Sequence, residues 1–288
     1  MLCNPQVPLT EDQWVRVNQA VQEEAQRARV AATFLPLYGP LPADTDFVRK
    51  VDVSEAGPLE AMDKQIIELS TLQVKVKLRG AQLADPELGS VLSVFRRAGN
   101  ILARVEDALV FDGQDGAAPI AAALGVEIAD DHGAPGLITD AVAGTPPVTD
   151  GDSLVAAVAN AIGYLETNGH FGPFAVVLSQ PLFLMSLQPD PDRPQVTPQQ
   201  QIIPLLGGGP LLRSSAIANG LGIVVALGGD PIDLVVATDM SVQFLQLTTD
   251  PMYIFRVYEK LALRIKSEKA VVKLTGEAPP DKAPSKKS

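Results

Sequence analysis

The longest periodic feature of the chain runs from Asp85 to Phe111, and the rest has to be arranged around it. Leu88, Val91, Leu92, Phe95, Ala98, Leu102, Val105 and Leu109 recur mostly at spacings of three and four. That spacing marks a helix burying one stripe over several turns. Asp85 and Pro86 suit the N-cap and first helical position, and the run stops near "FDGQDGAAP". Residues 85–111 read as a central core helix. Strand patterns lie on both sides of it. Leu72, Val74, Val76 and Leu78 alternate with Gln73, Lys75, Lys77 and Arg79. Phe255, Val257, Leu261, Leu263 and Ile265 share one face of "FRVYEKLALRI". A mixed α and β chain follows, and 288 residues, 46% of them hydrophobic, suffice for one large core or two smaller ones.

Further elements can be placed along the chain. Thr10 and Gln13 form a capping box. Behind them Trp14, Val17, Val21, Ala25 and Ala28 recur at helical spacing, opposite Arg16, Gln19, Glu23, Gln26 and Arg27. This amphipathic helix ends before Pro36. A strand, a loose polar segment and a returning strand across residues 45–80 predict an extended two-stranded arm, which is marginal alone and gains stability by lying on a neighbouring subunit. A Gly/Ala/Pro-rich connection is expected from Asp112 to Thr149. A helix then starts at Asp150, buries Leu154, Ala157, Val158, Ala161, Ile162 and Leu165, and ends at Asn168 and Gly169 in a left-handed C-cap. "PFAVVLS" is a buried strand and "QPLFLMSL" a short helix. The four prolines of Gln188–Pro198 predict an exposed loop. "GIVVAL" and "IDLVVAT" flank "GGDP" as a hairpin-like pair, and "SVQFLQL" is a further strand. The tail "GEAPPDKAPSKKS" is expected to be disordered.

Several classes of function are disfavoured. A net charge of −11 opposes general nucleic-acid affinity. The longest apolar stretches, such as "GIVVALGG", are too short to cross a bilayer, and the first residues lack the form of a secretory signal. Cys3 is the single cysteine, so no internal disulfide or cysteine-based metal cluster can form. A soluble, cytoplasmic protein is expected. "GDSL", Gly151–Leu154, matches an esterase motif in letters, but its serine needs a base. The downstream histidine is His170, preceded three residues earlier by Thr167 rather than an aspartate. "GLGIVV" lacks the third glycine of a dinucleotide fingerprint, and "GGGP" lacks the lysine of a phosphate loop. His132 has acidic neighbours but no second ligand at helical spacing. Asp190, Asp192 and Arg193 cluster in the proline-rich loop, where copies meeting around an axis would form a charged ring.

The order of motifs resembles the encapsulins, the shell proteins of bacterial and archaeal nanocompartments. "PLTEDQW" before a helix, "GPL" after it, "VEDALVFDG", "NGHFGPFAVVLS" and "FRVYEKLALRIKSEKAVVKL" follow one another as the family's segments do. The resemblance implies an α+β fold like that of tailed-phage major capsid proteins. It implies an N-terminal helix region at 1–44, an extended arm at 45–80 and a peripheral domain at 81–134 and 231–275. The axial domain would be 135–230 and a disordered tail 276–288. It implies a non-enzymatic subunit of an icosahedral shell enclosing a cargo enzyme that docks through a targeting peptide. Such cargo would be a ferritin-like iron-oxidising protein or a dye-decolourising peroxidase. By position, Phe34, Leu35, Leu37, Ile232 and Leu234 are the docking candidates, and Asp190, Asp192 and Arg193 the pore candidates. Some members bind flavin through a tryptophan after the arm. The corresponding "VKLRGAQLADPELG" has none and the chain's one tryptophan is Trp14, so no cofactor is expected. The runner-up is a phage or prophage major capsid protein. Phage versions often begin with a long scaffolding segment, whereas here the fold-like part starts almost at residue 1. A hydrolase using Ser153 and His170 comes third.

Overall fold

The capping box at Thr10 is the first feature the structure realises. This computed structural model describes residues 7–53, 61–129, 133–143, 145–189 and 195–276. Thr10 and Gln13 exchange backbone and side-chain bonds at the start of helix α1 (Glu11–Ala28). The helix buries Val17, Val21 and Ala25 of the expected stripe together with Ala20, and leaves Trp14 and Ala28 half-buried. The chain divides into two compact units. The first comprises Met1–Thr139 and Ile232–Ser267, the second Asp140–Pro231 and Glu268–Ser288.

The first unit is built on a five-stranded sheet. Its strands are β1 (Leu37–Tyr38), β4 (Ser70–Arg79), β5 (Val126–Ala129), β10 (Ile232–Leu247) and β11 (Met252–Ile265), ordered β1-β10-β11-β4-β5. In β4, Ser70, Leu72, Val74, Val76 and Leu78 are all buried, so the period-two alternation is a core face. A two-stranded ladder of β2 (Phe47–Val53) and β3 (Ala61–Glu68) precedes it. That ladder is shorter than the segment 45–80, because residues 70–79 pair with β11 instead. The one-residue step at Leu69 suffices to pass from ladder to sheet.

The short helix α2 (Gly80–Leu83) leads to α3 (Gly89–Leu124). The long helix starts four residues later than Asp85, because Leu88 takes a left-handed conformation. Asp85 still caps it, accepting from the Gly89 amide at 3.3 Å. Nor does it stop at Phe111. Gly113 breaks it with φ 72° and ψ −173°, and the helix resumes as far as Leu124. A Cβ at Gly113 would lie 2.7 Å from the Ala134 carbonyl oxygen, so only glycine fits there. The expected irregular connection from Asp112 to Thr149 therefore contains helix, β5 and the two-residue strand β6 (Val142–Ala143). Runs of alanine and glycine conceal helix when the stripe is narrow.

The second unit has its own five-stranded sheet. It contains β6, β7 (Phe174–Leu178), β8 (Leu211–Arg213), β9 (Leu221–Ala226) and β12 (Val271–Thr275), ordered β6-β12-β9-β7-β8. Helix α4 (Gly151–Thr167) starts from an Asp150–Ser153 capping box. It ends as its last residues predict: the His170 amide donates to the Leu165 carbonyl at 2.9 Å, and the Gly169 amide to Glu166 at 3.0 Å, with Gly169 at φ 82°. This is the Schellman arrangement. Helices α5 (Gln180–Leu187) and α6 (Pro198–Ile202) complete the unit. The hairpin expected across "GGDP" does not form. β9 pairs with β7 and β12, whereas β10 pairs with β1 and β11. The turn is thus the passage between units, and "IDLVVAT" and "SVQFLQL" are one strand with bulges.

Among the described residues, no helix is long and apolar enough to cross a membrane, and no group of three or more metal-ligating side chains could hold a metal ion. His132, the pore candidates Asp190, Asp192 and Arg193, and the tail from residue 277 lie outside the described residues.

Candidate functional site

The five docking candidates follow from where α1 ends. After Arg29 the chain makes a short 3-10 turn at Ala31–Thr33 and then enters β1. The Leu234 amide donates to the Pro36 carbonyl at 2.9 Å, and the Leu41 amide to Val236 at 3.0 Å. In this parallel pairing Leu37 stands directly beside Leu234, and Tyr38 beside Val235. Gly39 lets the chain turn off the sheet. It has φ 142°, and a Cβ would sit 2.2 Å from the Val236 carbonyl oxygen.

The structure thus brings Leu37 and Leu234 together, although 197 residues separate them in the chain. It also separates the candidates by exposure. Phe34, Leu35, Ile232 and Leu234 are buried, and Phe34 stacks on Phe111 with ring centroids 6.5 Å apart. Those four are core. Leu37 is 61% exposed and Tyr38 47%. Both lie on the outermost strand of the sheet, where an edge leaves backbone groups without sheet partners.

Two charged clusters hold this edge in place, and the sequence reading contained neither. In the first, Arg264 makes a bidentate bond to Asp233 at 2.8 and 2.6 Å. Its guanidinium carbon lies 4.3 Å from the centroid of the Tyr38 ring, within cation–π range. It also donates to the Arg49 carbonyl at 3.3 Å, and Lys266 adds a second cation to Asp233 at 2.8 Å. One guanidinium therefore links β1, β2, β10 and β11. The Asp233 hydrogen bonds are the main reason its pKa lies above the ordinary value. Asp233 and Arg264 are direct cross-strand partners, a signal visible only once the pairing is known.

The second cluster lies at the C-cap of α1. Arg29 pairs with Glu106, with Glu259 at 2.5 Å and with Asp239 at 3.0 Å. Glu106 and Glu259 are buried, whereas Asp239 is on the rim. Asp239 sits where the β10–β11 register shifts between Thr238 and Ser241, and such a bulge re-aims a side chain. Asp107, next along α3, accepts from the Val30 and Ala31 amides at 2.9 to 3.0 Å. Burial pushes the Glu106 carboxyl well up, and the neighbouring Glu259 adds to this. Burial pushes Glu259 up to about 7 against the pull of Arg29, and Asp107 up to about 6 against its amide bonds. Burial by itself would lower the pKa of Arg29, but its three carboxylates raise it. A signal for this cluster was available. Glu259 has the same strand parity as Phe255, Val257 and Leu261, so it had to be buried and hence paired.

The hydrolase reading fails on geometry. Ser153 is in the first turn of the 17-residue helix α4 and His170 lies beyond its other end. At about 1.5 Å of rise per residue they are about 25 Å apart. The Ser153 hydroxyl is instead engaged by the Thr149 and Asp150 amides, each at 2.9 Å, and donates to the Asp150 carbonyl.

Comparison with known proteins accords with this fold. The family described as "Encapsulating protein for peroxidase" (Linocin_M18) matches residues 1–262. The type 1 encapsulin shell protein EncA of Myxococcus xanthus is 29% identical, the alignment covering 93% of this chain and 94% of that protein. A diheme-cytochrome–encapsulin shell fusion protein of Kuenenia stuttgartiensis is 24% identical over 93% of this chain and 74% of its own length. Among solved structures, the virus-like particle of Pyrococcus furiosus superposes with a TM-score of 0.71 at 16% identity, covering 92% of this chain and all of that one. The capsid of Myoviridae phage XM1 gives 0.59 at 15% identity, over 84% and 90% of the two chains. The last two show a fold shared with phage capsids, so fold alone does not separate shell from virus. The sequence match over nearly the whole chain does: the protein belongs to the encapsulin family of shell proteins.

Proposed function

We propose that the chain assembles into a closed icosahedral shell around a cargo enzyme, and that the cargo's targeting peptide docks along the open edge of β1. The observation supporting the first part is the match over nearly the whole chain to an encapsulating family and to a shell protein of nearly the same extent. It favours this reading over the phage capsid. The docking part is supported by the edge itself. Leu37 and Tyr38 expose apolar surface beside the buried row of β10. An extended peptide can add to such an edge through backbone bonds, with side chains settling on the apolar surface. In this reading Leu37 touches the peptide, and Phe34, Leu35, Ile232 and Leu234 form the floor that positions it.

The family's description points to a peroxidase as cargo, and the resemblance adds ferritin-like iron-oxidising proteins. The shell subunit itself is then non-catalytic. Assembly is the first test. Expressed alone and purified, the chain should elute as a megadalton particle and appear as closed shells by negative-stain microscopy. A monomer or small oligomer at micromolar concentration overturns the proposal.

A further inference from the structure

We infer that Arg29, Glu106 and Glu259 form a proton-dependent latch that holds the segment from Val30 to Tyr38 against α3 and β11. The geometry comes first. A single guanidinium lies between two buried carboxyl groups on different elements, Glu106 on α3 and Glu259 on β11. It sits at the C-cap of α1, and the next residues, Val30 and Ala31, hang by their amides from Asp107. Everything between the helix and β1 starts from this point.

The charge count cannot balance when every acid is ionised. The groups facing the site are Arg29 from α1, Glu106 and Asp107 from α3, Asp239 from β10 and Glu259 from β11. Asp239 keeps contact with water and Asp107 has its two amide donors. That leaves one cation for two carboxylates removed from water, which is a costly arrangement. The Oε1 atom of Glu259 is buried with no hydrogen-bond partner. A neutral carboxyl is tolerated there more readily than a carboxylate. One proton on the pair, which Glu106 can donate to Glu259, therefore balances Arg29, and loss of this last proton leaves like charges side by side.

The sign follows from linkage. Glu259 binds its proton more tightly in the latched state, where its pKa is about 7, than when released, where it returns to 4.5. The latch is at full strength below the lower value, weakens as pH climbs between the two, and stays weak above the higher one. Glu106, raised in the same direction, extends the weakening. The segment is held in acid and loosened at neutral and alkaline pH. If β1 is the docking edge, cargo attachment inherits this dependence. That consequence rests on the docking reading, whereas the latch does not.

Hydrogen exchange on assembled, cargo-free shells tests the latch directly. The Val30 and Ala31 amides, corrected for intrinsic exchange, should exchange faster as pH rises from about 4.5 to about 7. The increase should be at most about tenfold per pH unit and level off above. In Glu259→Gln the amide keeps an oxygen for Arg29 but cannot titrate, and Glu106 can then pair with Arg29 as a carboxylate. The pH dependence should become shallower, leaving the share that Asp107 contributes through its own raised pKa. An equal slope in wild type and variant overturns the latch. Should the variant fail to assemble, infrared spectroscopy of the wild-type shell decides. A protonated-carboxyl band persisting near pH 7, above the value of about 6 at which Asp107 gives up its proton, supports the latch, and its absence there overturns it. A latch that responds while peptide affinity does not would remove the docking consequence alone.

Discussion

The two units bury different chemistry. In the first, the buried groups include Glu106, Asp107, Asp233, Glu259 and Arg264. In the second, among the described residues, the buried polar side chains are three serines, Ser179, Ser186 and Ser214. Its core is an apolar cluster joining α4 to the sheet through residues such as Leu154, Leu165, Phe174, Val176 and Leu274. An apolar core is specified by size and shape, tolerates pH and fails when a cavity opens. A core containing charge is specified by pairing and fails when one partner is lost or the proton count changes. The pH dependence of the first unit should therefore arise in its core, whereas the core of the second, among the described residues, has no acid or base to titrate. A shift resolved in the second unit lies at its surface instead. Asp150 is held below the ordinary range by Ser153, but it is exposed at a helix start.

Removal of Arg29 should break the contrast most. Arg29→Met leaves Glu106 and Glu259 buried without their cation, at a cost of about 3–5 kcal/mol near neutral pH. The cost should shrink in acid, where both carboxyls can be protonated. Thermal unfolding of purified shells at acid and neutral pH measures this, and an equal loss at both would contradict the pairing account. The counterpart in the second unit is Leu154→Ala. Leu154 is fully buried in the apolar cluster, so the cavity should cost about 2–5 kcal/mol. That loss should not change across the same pH range, because no carboxyl or imidazole side chain belongs to the cluster. A pH-dependent loss there would erase the distinction between the units.

Legibility follows the same division. Elements whose cause is local were readable. The Thr10 capping box, the helix start at Asp150, the Gly169 C-cap, the all-buried strand Phe174–Leu178 and the alternation of β4 depend on residues within a few positions of each other. Features caused by distant partners were not. "GGDP" has the composition of a hairpin turn, and only the pairing of β9 and β10 with different sheets shows that it is a passage. Gly113 ends a helical run for any local reading, yet its conformation is set by the approach of Ala134–Gly136, and the helix resumes. The docking candidates were named as a set, since resemblance supplied their positions. Which of them face solvent depended on the pairing of β1 with β10. Arg29 looked like one more polar residue after a helix, because Glu106 and Glu259 are 77 and 230 residues away.

The smallest effect on stability should accompany the sharpest effect on function, at Leu37. Leu37→Ser removes a side chain that is mostly in water, so unfolding should change by no more than about 0.5 kcal/mol. Shell assembly should be unaffected. The same side chain, once covered by a docked peptide, would bury apolar surface equivalent to about 1.5 kcal/mol or more, and its loss should weaken docking about tenfold or more. The probe is a synthetic copy of the terminal peptide of whichever enzyme co-purifies inside wild-type shells, with affinity read by calorimetry on dissociated subunits. Unchanged affinity in Leu37→Ser would move the docking surface away from β1 and leave the shell function intact. Weakened affinity with unchanged stability would separate the two roles of this short segment, because Phe34, Leu35, Ile232 and Leu234 are buried and Leu37 is not.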